Sequence, residues 1–354
     1  MALSGEVTIA LDAMGGDQAP KMVVKGAAIA LKRHPGLRFL MVGDEPRLRT
    51  LMKRRKKLLA ATDFLHTDEV VPGTMRPSVA LRQGRKSSMG LALRAVRENR
   101  ASAAVSAGNT GALMAMARMM LGMLPGIDRP AIAATMPTLR GESVVLDLGA
   151  NTECDVRNLI QFAVMGELFA RIVLGYQTPS VGLLNVGEEE VKGLETVREA
   201  AARLKAAESI RFHGFVEGDD IAKGTVDVVV TDGFTGNIAL KTAEGTAKLY
   251  SHYLRSAFGR SLLARIGYLF ARSSLKAIQK QTDPRHHNGA MFLGLGGIAV
   301  KSHGGTDALG FANAIGVAYD LVAHGFNERI IGEFKRIAAD RIDGTSDQQK
   351  AATA

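Results

Sequence analysis

Short apolar runs rich in β-branched residues alternate along this chain with longer segments of helical period. The runs predict strands over 7–11, 37–42, 103–106, 143–148, 180–186 and 226–230. The longer segments predict helices from 238 onward and over 20–32, 89–99, 112–120, 156–174, 194–207, 260–280 and 306–323. Because strands and helices alternate, we expect an α/β fold of three layers, in which helices flank a mostly parallel sheet.

The polar turns that follow these strands share one form, in which Gly stands beside Asn or Asp. The form recurs near residues 12, 108, 150, 232 and 303. N–H groups at the start of a helix have no partner within it, and the helix dipole favours an anion there. If the strands are parallel, these turns gather at one edge of one sheet and form an anion site. The alternative for each turn is an ordinary helix cap.

The turns and the positions beside them supply the candidate substrate-binding residues, which are polar side chains or glycines that let a ligand approach closely. They are Asp12, Gly15, Gly16, Lys86, Ser87, Ser106, Asn109, Thr110, Asp147, Asn151, Gly236 and Ser302. Lys192 stands at a predicted helix start, where the dipole disfavours a cation, so it indicates an anion to hold. The alternative for Lys192 is an ordinary surface lysine.

Composition narrows the classes of function. The chain has 354 residues, of which 46% are hydrophobic, and its formal net charge of +10 favours acidic partners. Aromatic residues make up 5% with no Trp, which argues against a single-stranded nucleic acid as partner. Cys154 is the only cysteine, with no activating base nearby, so we expect an inert thiol in a reducing cytoplasm. No ligand set with zinc spacing occurs, so we expect no metal site.

Two basic segments are candidate docking surfaces for an acidic partner, with a solvated surface as the alternative. One follows Pro46 and the other precedes Ser87. Together they contain Arg47, Arg49, Lys53, Arg54, Arg55, Lys56, Lys57, Arg82, Arg85 and Lys86. A glycine-rich stretch at 294–297 superficially resembles a dinucleotide loop, but it lacks the full spacing and the acidic residue beyond it, so we reject that reading.

An amphipathic segment indicates contact with a membrane. Its apolar side chains share one helical face and are Phe258, Leu262, Leu263, Ile266, Leu269 and Phe270. With arginines outside that face, the helix can lie in the headgroup region of an anionic bilayer; the alternative is packing against the preceding helix or a partner subunit. We place the segment in a protruding helical hairpin at about 244–283, within a single catalytic domain over 1–340. Residues 341–354 are expected to form a disordered tail.

Several motifs, in this order, resemble the PlsX family of phosphate acyltransferases. They are LDAMGGD, GRKSSM, SAGNTGA, VLDLGAN, DGFTGN and KSHGGTDALGFANAI, and they extend from residue 11 to about 315. The resemblance implies transfer of a fatty acyl group from acyl carrier protein to inorganic phosphate, giving acyl phosphate for phospholipid synthesis. It also implies a homodimer, a fold like those of phosphotransacetylases and isopropylmalate dehydrogenases, and no cofactor.

The candidate residues suit that chemistry, which needs phosphate held against a thioester carbonyl and donors for the charge that develops on its oxygen. We assign phosphate binding to Lys192 and to the N–H groups after Gly108 and Gly236. Asn237 and Asn109 are the donors to phosphate or to the carbonyl oxygen. Two further catalytic candidates are Asp232, which would orient Lys192 or Asn237, and His303, which would protonate the leaving thiolate or serve as a structural histidine.

Three alternatives stay open. A short-chain phosphotransacetylase that uses coenzyme A shares the chemistry, and a decarboxylating dehydrogenase that uses a pyridine nucleotide shares the fold. The acid cluster that binds metal in such dehydrogenases is not evident in this sequence. A basic nucleic-acid binder explains the charge but not the repeated turns.

Overall fold

The computed structural model of the chain describes residues 6–207, 209–281 and 289–336. The strands form an 11-stranded sheet in the order β3-β2-β1-β4-β11-β10-β5-β6-β9-β7-β8. Their bounds are β1 Val7–Asp12, β2 Leu37–Gly43, β3 Thr62–His66, β4 Ala103–Ser106, β5 Ala131–Thr138, β6 Gly141–Leu146, β7 Val181–Leu184, β8 Phe212–Val216, β9 Val228–Val230, β10 Ala290–Leu293 and β11 Ile298–Lys301.

Helices cover both faces of this sheet. Their bounds are α1 Lys21–Arg33, α2 Glu45–Met52, α3 Lys56–Ala60, α4 Pro77–Gln83, α5 Ser88–Arg97, α6 Thr110–Leu121, α7 Val156–Phe169, α8 Glu195–Lys205, α9 Gly218–Lys223, α10 Gly233–Gly259, α11 Leu262–Gln281 and α12 Ala308–Ala323. One core packs α1, α7, α8 and α12 on the sheet, and a second core packs α4, α5, α6 and the start of α10 on the other face. Neighbouring residues of β1 alternate between the two cores, as Ile9 and Ala10 do, because side chains alternate along a strand.

Strand direction reverses in the middle of the sheet. β10 is antiparallel to both β11 and β5, and β5 is antiparallel to β6. The strands on either side of this centre pair in parallel, so β6, β9, β7 and β8 run opposite to β1, β4 and β11. The expectation that all the glycine-containing turns gather at one edge is therefore wrong. They divide between two edges, because the antiparallel strands β5 and β10 give no clear pattern in the sequence.

The strands and helices of the structure differ from those predicted from the sequence at a few places. The predicted strands are present, and β3, β5, β8, β10 and β11 are additional. The basic segment after Pro46 forms two short helices, α2 and α3. α10 begins at Gly233, earlier than expected, because the Asp232 carboxylate accepts a hydrogen bond from the Thr235 N–H at 2.8 Å and caps the helix there.

α10 and α11 form the expected helical hairpin. Most side chains of α10 from Lys241 onward are exposed, so the hairpin projects from the sheet. Phe258 and Tyr268 meet edge to face, with ring centroids 5.5 Å apart, and hold its two helices together. Within the described ranges no helix is long and apolar enough to cross a membrane. The predicted tail at 341–354 lies outside the described residues, and the division into domains stays a prediction.

Candidate active site

The first cluster of candidate residues lies at the carboxyl ends of β1, β4 and β11. Lys301 pairs with Ser106 across β11 and β4, and Asp12 lies one residue beyond the pair of Leu11 and Val105. Asp12, Ser106 and Lys301 therefore form a row in register on one face of the sheet. The Ser106 hydroxyl donates to the Asp12 carboxylate at 2.6 Å. This row faces the side of the sheet that α5 and α6 cover.

Asp12 holds its own turn in place. Its carboxylate accepts hydrogen bonds from the N–H groups of Met14 at 3.3 Å and Gly15 at 3.1 Å. A Cβ at Gly15 would lie 2.3 Å from the Asp12 carboxylate, so only glycine fits there. Gly16 has a φ of 100°, which glycine adopts most readily. Burial raises the pKa of Asp12, while the hydrogen bonds from Ser106 and from the turn oppose that rise.

Lys301 is a candidate that the sequence analysis missed. It is 8% exposed, and its ammonium group donates to the neighbouring carbonyl of Ser302. Burial lowers the pKa of Lys301 from 10.5 to about 8, and the charges of Asp12 and Asp17 oppose that shift. A buried lysine with donors to spare suits an anionic ligand. The available sequence signal was its position at the end of an apolar run, directly before the polar turn at 302–305.

The start of α6 belongs to this cluster. Asn109 caps the helix by accepting from the Ala112 N–H at 3.0 Å. Its amide donates to the carbonyls of Gly73 at 2.7 Å and Met75 at 3.0 Å, so it is not free to act as a donor to substrate, and that expectation is wrong. The N–H groups of Thr110 and Gly111 have no acceptor among the described residues. They keep the anion-binding capacity expected after Gly108.

The remaining candidates at this edge have mixed roles. The Ser87 hydroxyl accepts from the Gly90 N–H at 3.2 Å and donates to the Gly84 carbonyl at 2.6 Å. Ser87 therefore acts as a helix cap, which was the alternative to a substrate-binding role. Lys86 beside it is exposed. Ser302 is fully buried, and the exposed His303 accepts a hydrogen bond from the Gly305 N–H at 3.2 Å.

The second cluster lies at the carboxyl ends of β6, β7 and β9. The buried Asp147 is its structural centre, because its carboxylate accepts from the N–H groups of Ile132, Gly149, Ala150 and Asn151 and from the Asn151 amide, at 2.7–3.2 Å. Asn151 also donates to the Pro130 carbonyl at 2.7 Å, which ties the turn to the start of β5. Burial raises the pKa of Asp147, although these donors oppose the rise. Asp147 and Asn151 thus position the turn.

Asp232 and Gly236 fix the start of α10. The Asp232 carboxylate accepts from the N–H and the hydroxyl of Thr235, both at 2.8 Å. No described contact joins it to Lys192 or Asn237, and its orienting role stays a prediction. Gly236 lies inside the first helical turn, where its N–H donates to the Asp232 carbonyl at 2.9 Å. The N–H groups after Gly236 belong to the helix and are not free to bind phosphate, contrary to expectation. A Cβ at Gly236 would lie 1.9 Å from the Asp147 carbonyl, so glycine is required there.

Asn237 and Lys192 carry the donors that remain at this edge. The Asn237 side chain is half-buried beside Gly149, and its amide has no hydrogen-bond partner among the described residues. Lys192 lies on the exposed loop after β7, where its ammonium group pairs with Glu189 at 2.7 Å. The hydrogen bond from Lys192 to Glu189 raises the pKa of the lysine, so it stays charged at neutral pH.

The four proposed catalytic residues do not come together within the described chain. Lys192, Asp232 and Asn237 belong to the second cluster, whereas His303 belongs to the first. The thiol of Cys154 has its pKa raised to about 12, chiefly by burial, so it is protonated at neutral pH. The glycine-rich stretch at 294–297 joins the antiparallel strands β10 and β11, which rules out a strand-to-helix dinucleotide loop there.

Replacing Lys301 by Met should stabilise the fold at neutral pH, because it removes a buried charge and keeps the side-chain length. We expect the free energy of unfolding at pH 7 to rise by about 1–3 kcal/mol. The folded pKa of about 8 lies below the ordinary value of 10.5, so the unfolded chain binds more protons between these values. The wild-type protein therefore gains stability as pH rises through that window, and the advantage of Lys301→Met shrinks there.

Urea unfolding at pH 7 and at pH 10 measures both effects. The exposed Lys57 offers a matched control, since Lys57→Met should change the free energy of unfolding by less than about 0.5 kcal/mol at either pH. A Lys301→Met protein that is less stable than wild type at pH 7 would show that partners compensate the buried charge.

Comparison with known proteins assigns the chain to a family. A family model described as fatty acid synthesis protein matches residues 7–329. A phosphate acyltransferase of Rhodospirillum rubrum is 60% identical over 336 residues, covering 95% of this chain and 96% of that protein. A phosphate acyltransferase of Rhodospirillum centenum is 62% identical over 338 residues, covering 95% of each chain.

Solved structures share the fold. A phosphotransacetylase from Streptococcus pyogenes superposes with a TM-score of 0.60 at 16% identity, covering 90% of this chain and 94% of that one. The EutD phosphotransacetylase from Staphylococcus aureus gives a TM-score of 0.58 at 17% identity, with the same coverage of both chains. These likenesses confirm the expected fold class. By its match over 7–329 and its identity to these relatives, the chain belongs to the fatty acid synthesis protein family, the PlsX phosphate acyltransferases that its motifs resemble.

Proposed function

We propose that this chain, a phosphate acyltransferase of fatty acid and phospholipid synthesis, transfers a fatty acyl group from acyl carrier protein to inorganic phosphate beside Asn237. The observation that carries this assignment is the Asn237 amide. It lies at the start of α10, next to Asp147, Asn151 and Asp232, whose side chains already have partners. A half-buried amide with no described partner is suited to receive a substrate oxygen.

The chemistry needs few protein groups. A phosphate oxygen attacks the thioester carbonyl carbon, the carbon–sulfur bond breaks, and the thiolate of the carrier leaves and takes up a proton. Negative charge develops on the carbonyl oxygen, where the Asn237 amide donates a hydrogen bond. Lys192 neutralises the phosphate and holds it in attack geometry. Cys154 is protonated, which agrees with direct transfer without an acyl-enzyme intermediate.

The first cluster serves the anionic part of the carrier's prosthetic group. It combines the N–H groups of Thr110 and Gly111 with the buried Lys301. α6 connects the clusters, since it starts at the first and lines one pocket together with the turn that contains Ala150 and Asn151. A carrier arm that enters at the first cluster would bring its thioester toward Asn237.

Turnover should require phosphate. With a hexadecanoyl thioester of acyl carrier protein, we expect release of the carrier thiol only when inorganic phosphate is present, together with acyl phosphate. Arsenate should replace phosphate and give net hydrolysis, because acyl arsenates are unstable in water. Equal release without either anion would contradict the proposed reaction, and equal use of a coenzyme A thioester would make the chain a coenzyme A enzyme.

Variants in the same assay test the assigned roles. Asn237→Ala should lower kcat/KM by about 10²–10³-fold, as loss of a carbonyl-oxygen donor does. Lys192→Ala should raise KM for phosphate. Lys205 provides a matched control, because it also pairs with a glutamate of the loop after β7, Glu190 at 2.9 Å. Lys205→Ala should leave both constants unchanged.

We assign docking of the carrier protein to Arg82 and Arg85. Both are exposed, and the Arg85 guanidinium lies 4.0 Å from the Met119 sulfur on α6. The basic residues of α2 and α3 lie toward the β3 end of the sheet, beyond β1, and so are farther from the second cluster. Acyl carrier protein is acidic, so a positive surface beside the site favours its approach.

Charge reversal distinguishes the two basic surfaces. Arg85→Glu should raise KM for the carrier protein by roughly fivefold and weaken the salt dependence of kcat/KM, with KM for phosphate unchanged. Arg54→Glu is the matched control on the other surface and should have little effect. If Arg54→Glu raises KM for the carrier and Arg85→Glu does not, the docking surface is the one on α2 and α3.

We also assign a peripheral membrane contact to the hairpin, within a homodimer. Leu263 and Phe270 on α11 are 82% and 84% exposed, so packing against α10 does not bury them. Ile266 and Leu269 are exposed beside them, and the side chain of Leu262 lies outside the described part of the chain. Large apolar side chains on an exposed face mark a contact with lipid or protein. An apolar acyl phosphate is a further reason for a position at a membrane.

Leu263→Glu combined with Phe270→Glu tests the membrane contact. The double variant should stay folded and keep its oligomeric state. It should no longer sediment with vesicles of phosphatidylglycerol and phosphatidylcholine, because moving two glutamate charges into lipid costs free energy. Leu139 is 87% exposed in the turn between β5 and β6, so Leu139→Glu is the matched control and should sediment like wild type. Loss of the oligomer with sedimentation retained would assign the face to a subunit interface instead.

A further inference from the structure

A pocket of about 450 Å³ opens between α6 and the turn of the second cluster. Its α6 wall consists of Met114, Ala115, Arg118 and Met119, and Ala150 and Asn151 line the opposite side. The volume lies within the range of small-molecule sites. Most of the lining is aliphatic, and Arg118 is the charged residue among the lining side chains.

The methionines of α6 divide between two environments. Met116 and Met120 are buried in the core under the helix, whereas Met119 is 44% exposed and Met114 is half-buried. Methionine side chains are unbranched and adaptable, so they can line a site for flexible apolar ligands of different lengths. Ala115 lies between the two methionines of the wall and leaves room there.

The position of the pocket identifies the ligand. Asn151 and Ala150 belong to the turn whose Gly149 touches Asn237, since a Cβ at Gly149 would lie 3.5 Å from the Asn237 Cβ. A chain in the pocket therefore ends close to the amide to which we assign the thioester carbonyl. Arg118, the charged residue of the wall, carries no ion pair among the described residues.

We propose that this pocket binds the fatty acyl chain of the substrate, with Met114, Ala115 and Met119 as its wall. The proposal rests on the proposed function and specifies where chain length is selected. Each further methylene that enters the pocket should raise kcat/KM about fourfold until the pocket is full, which is the fold-change for burying one methylene. Beyond that length, kcat/KM should level off or fall.

A large side chain at Ala115 should shorten the accepted chain. With carrier thioesters of 6 to 18 carbons, Ala115→Phe should lower kcat/KM for the long chains by about tenfold or more and leave the shortest chains unchanged. Met119→Trp is the second variant, because Met119 is 44% exposed and a large ring there does not disturb the core. Ala202→Phe, on the exposed surface of α8, is the matched control and should keep the wild-type profile.

A labelling experiment tests where the acyl chain binds, and it does so independently of whether the enzyme turns over. A hexadecanoyl thioester of acyl carrier protein with a photoreactive diazirine at the chain end should label a peptide within 114–119, even if turnover fails. Labelling at the smaller pocket beside Phe234 and Leu194 would overturn the proposal, as would labelling on α11. A changed oligomeric state in Ala115→Phe with an unchanged chain-length profile would also overturn it and would assign the wall to an interface between copies.

Discussion

The antiparallel pairing of β5 and β10 is the constraint on which the arrangement of this molecule depends. Without it, the loops after β4 and β9 would open at the same edge of the sheet; with it, they open at opposite edges. α6 and α10 nevertheless lie on the same face. α6 starts at the first cluster and reaches the turn of the second, where α10 starts. The two clusters are therefore separated along α6, an arrangement that agrees with the long substrate we propose.

The buried charged groups of the two clusters differ in how far hydrogen-bond partners offset the free-energy cost of their burial. Asp147 accepts hydrogen bonds from N–H groups of its own turn and from the Ile132 N–H on β5, and these bonds hold the turn in place. Among the residues that the structure describes, Lys301 has one acceptor, the neighbouring carbonyl, and its other donors have no partner. Uncompensated polar groups cost stability, and such groups are found where a ligand completes the bonding.

Close packing explains why so few donors remain at the turns. Gly236 brings α10 against the Asp147 carbonyl, and Gly15 brings the first turn against Asp12. Asn109 and Asp232 are likewise committed to holding their helices and loops. Rigid turns of this kind preorganise the groups that are left, chiefly Asn237 and the N–H groups of α6, and preorganised donors are what acyl transfer needs.

The sequence by itself determined the α/β class, the parallel strands and their helices, the family, and the polar turns that become the two clusters. These follow from local signals, namely hydrophobic period, cap residues and glycine. Only the tertiary structure decided that the turns divide between two edges, because β5 is rich in alanine and β10 has 4 residues, too few to show a period. It also decided which polar groups are free. Asn109 and Asn237 look equivalent in sequence, but bonds to residues 73 and 75 occupy the first, and the role of Lys301 depends on burial by distant strands.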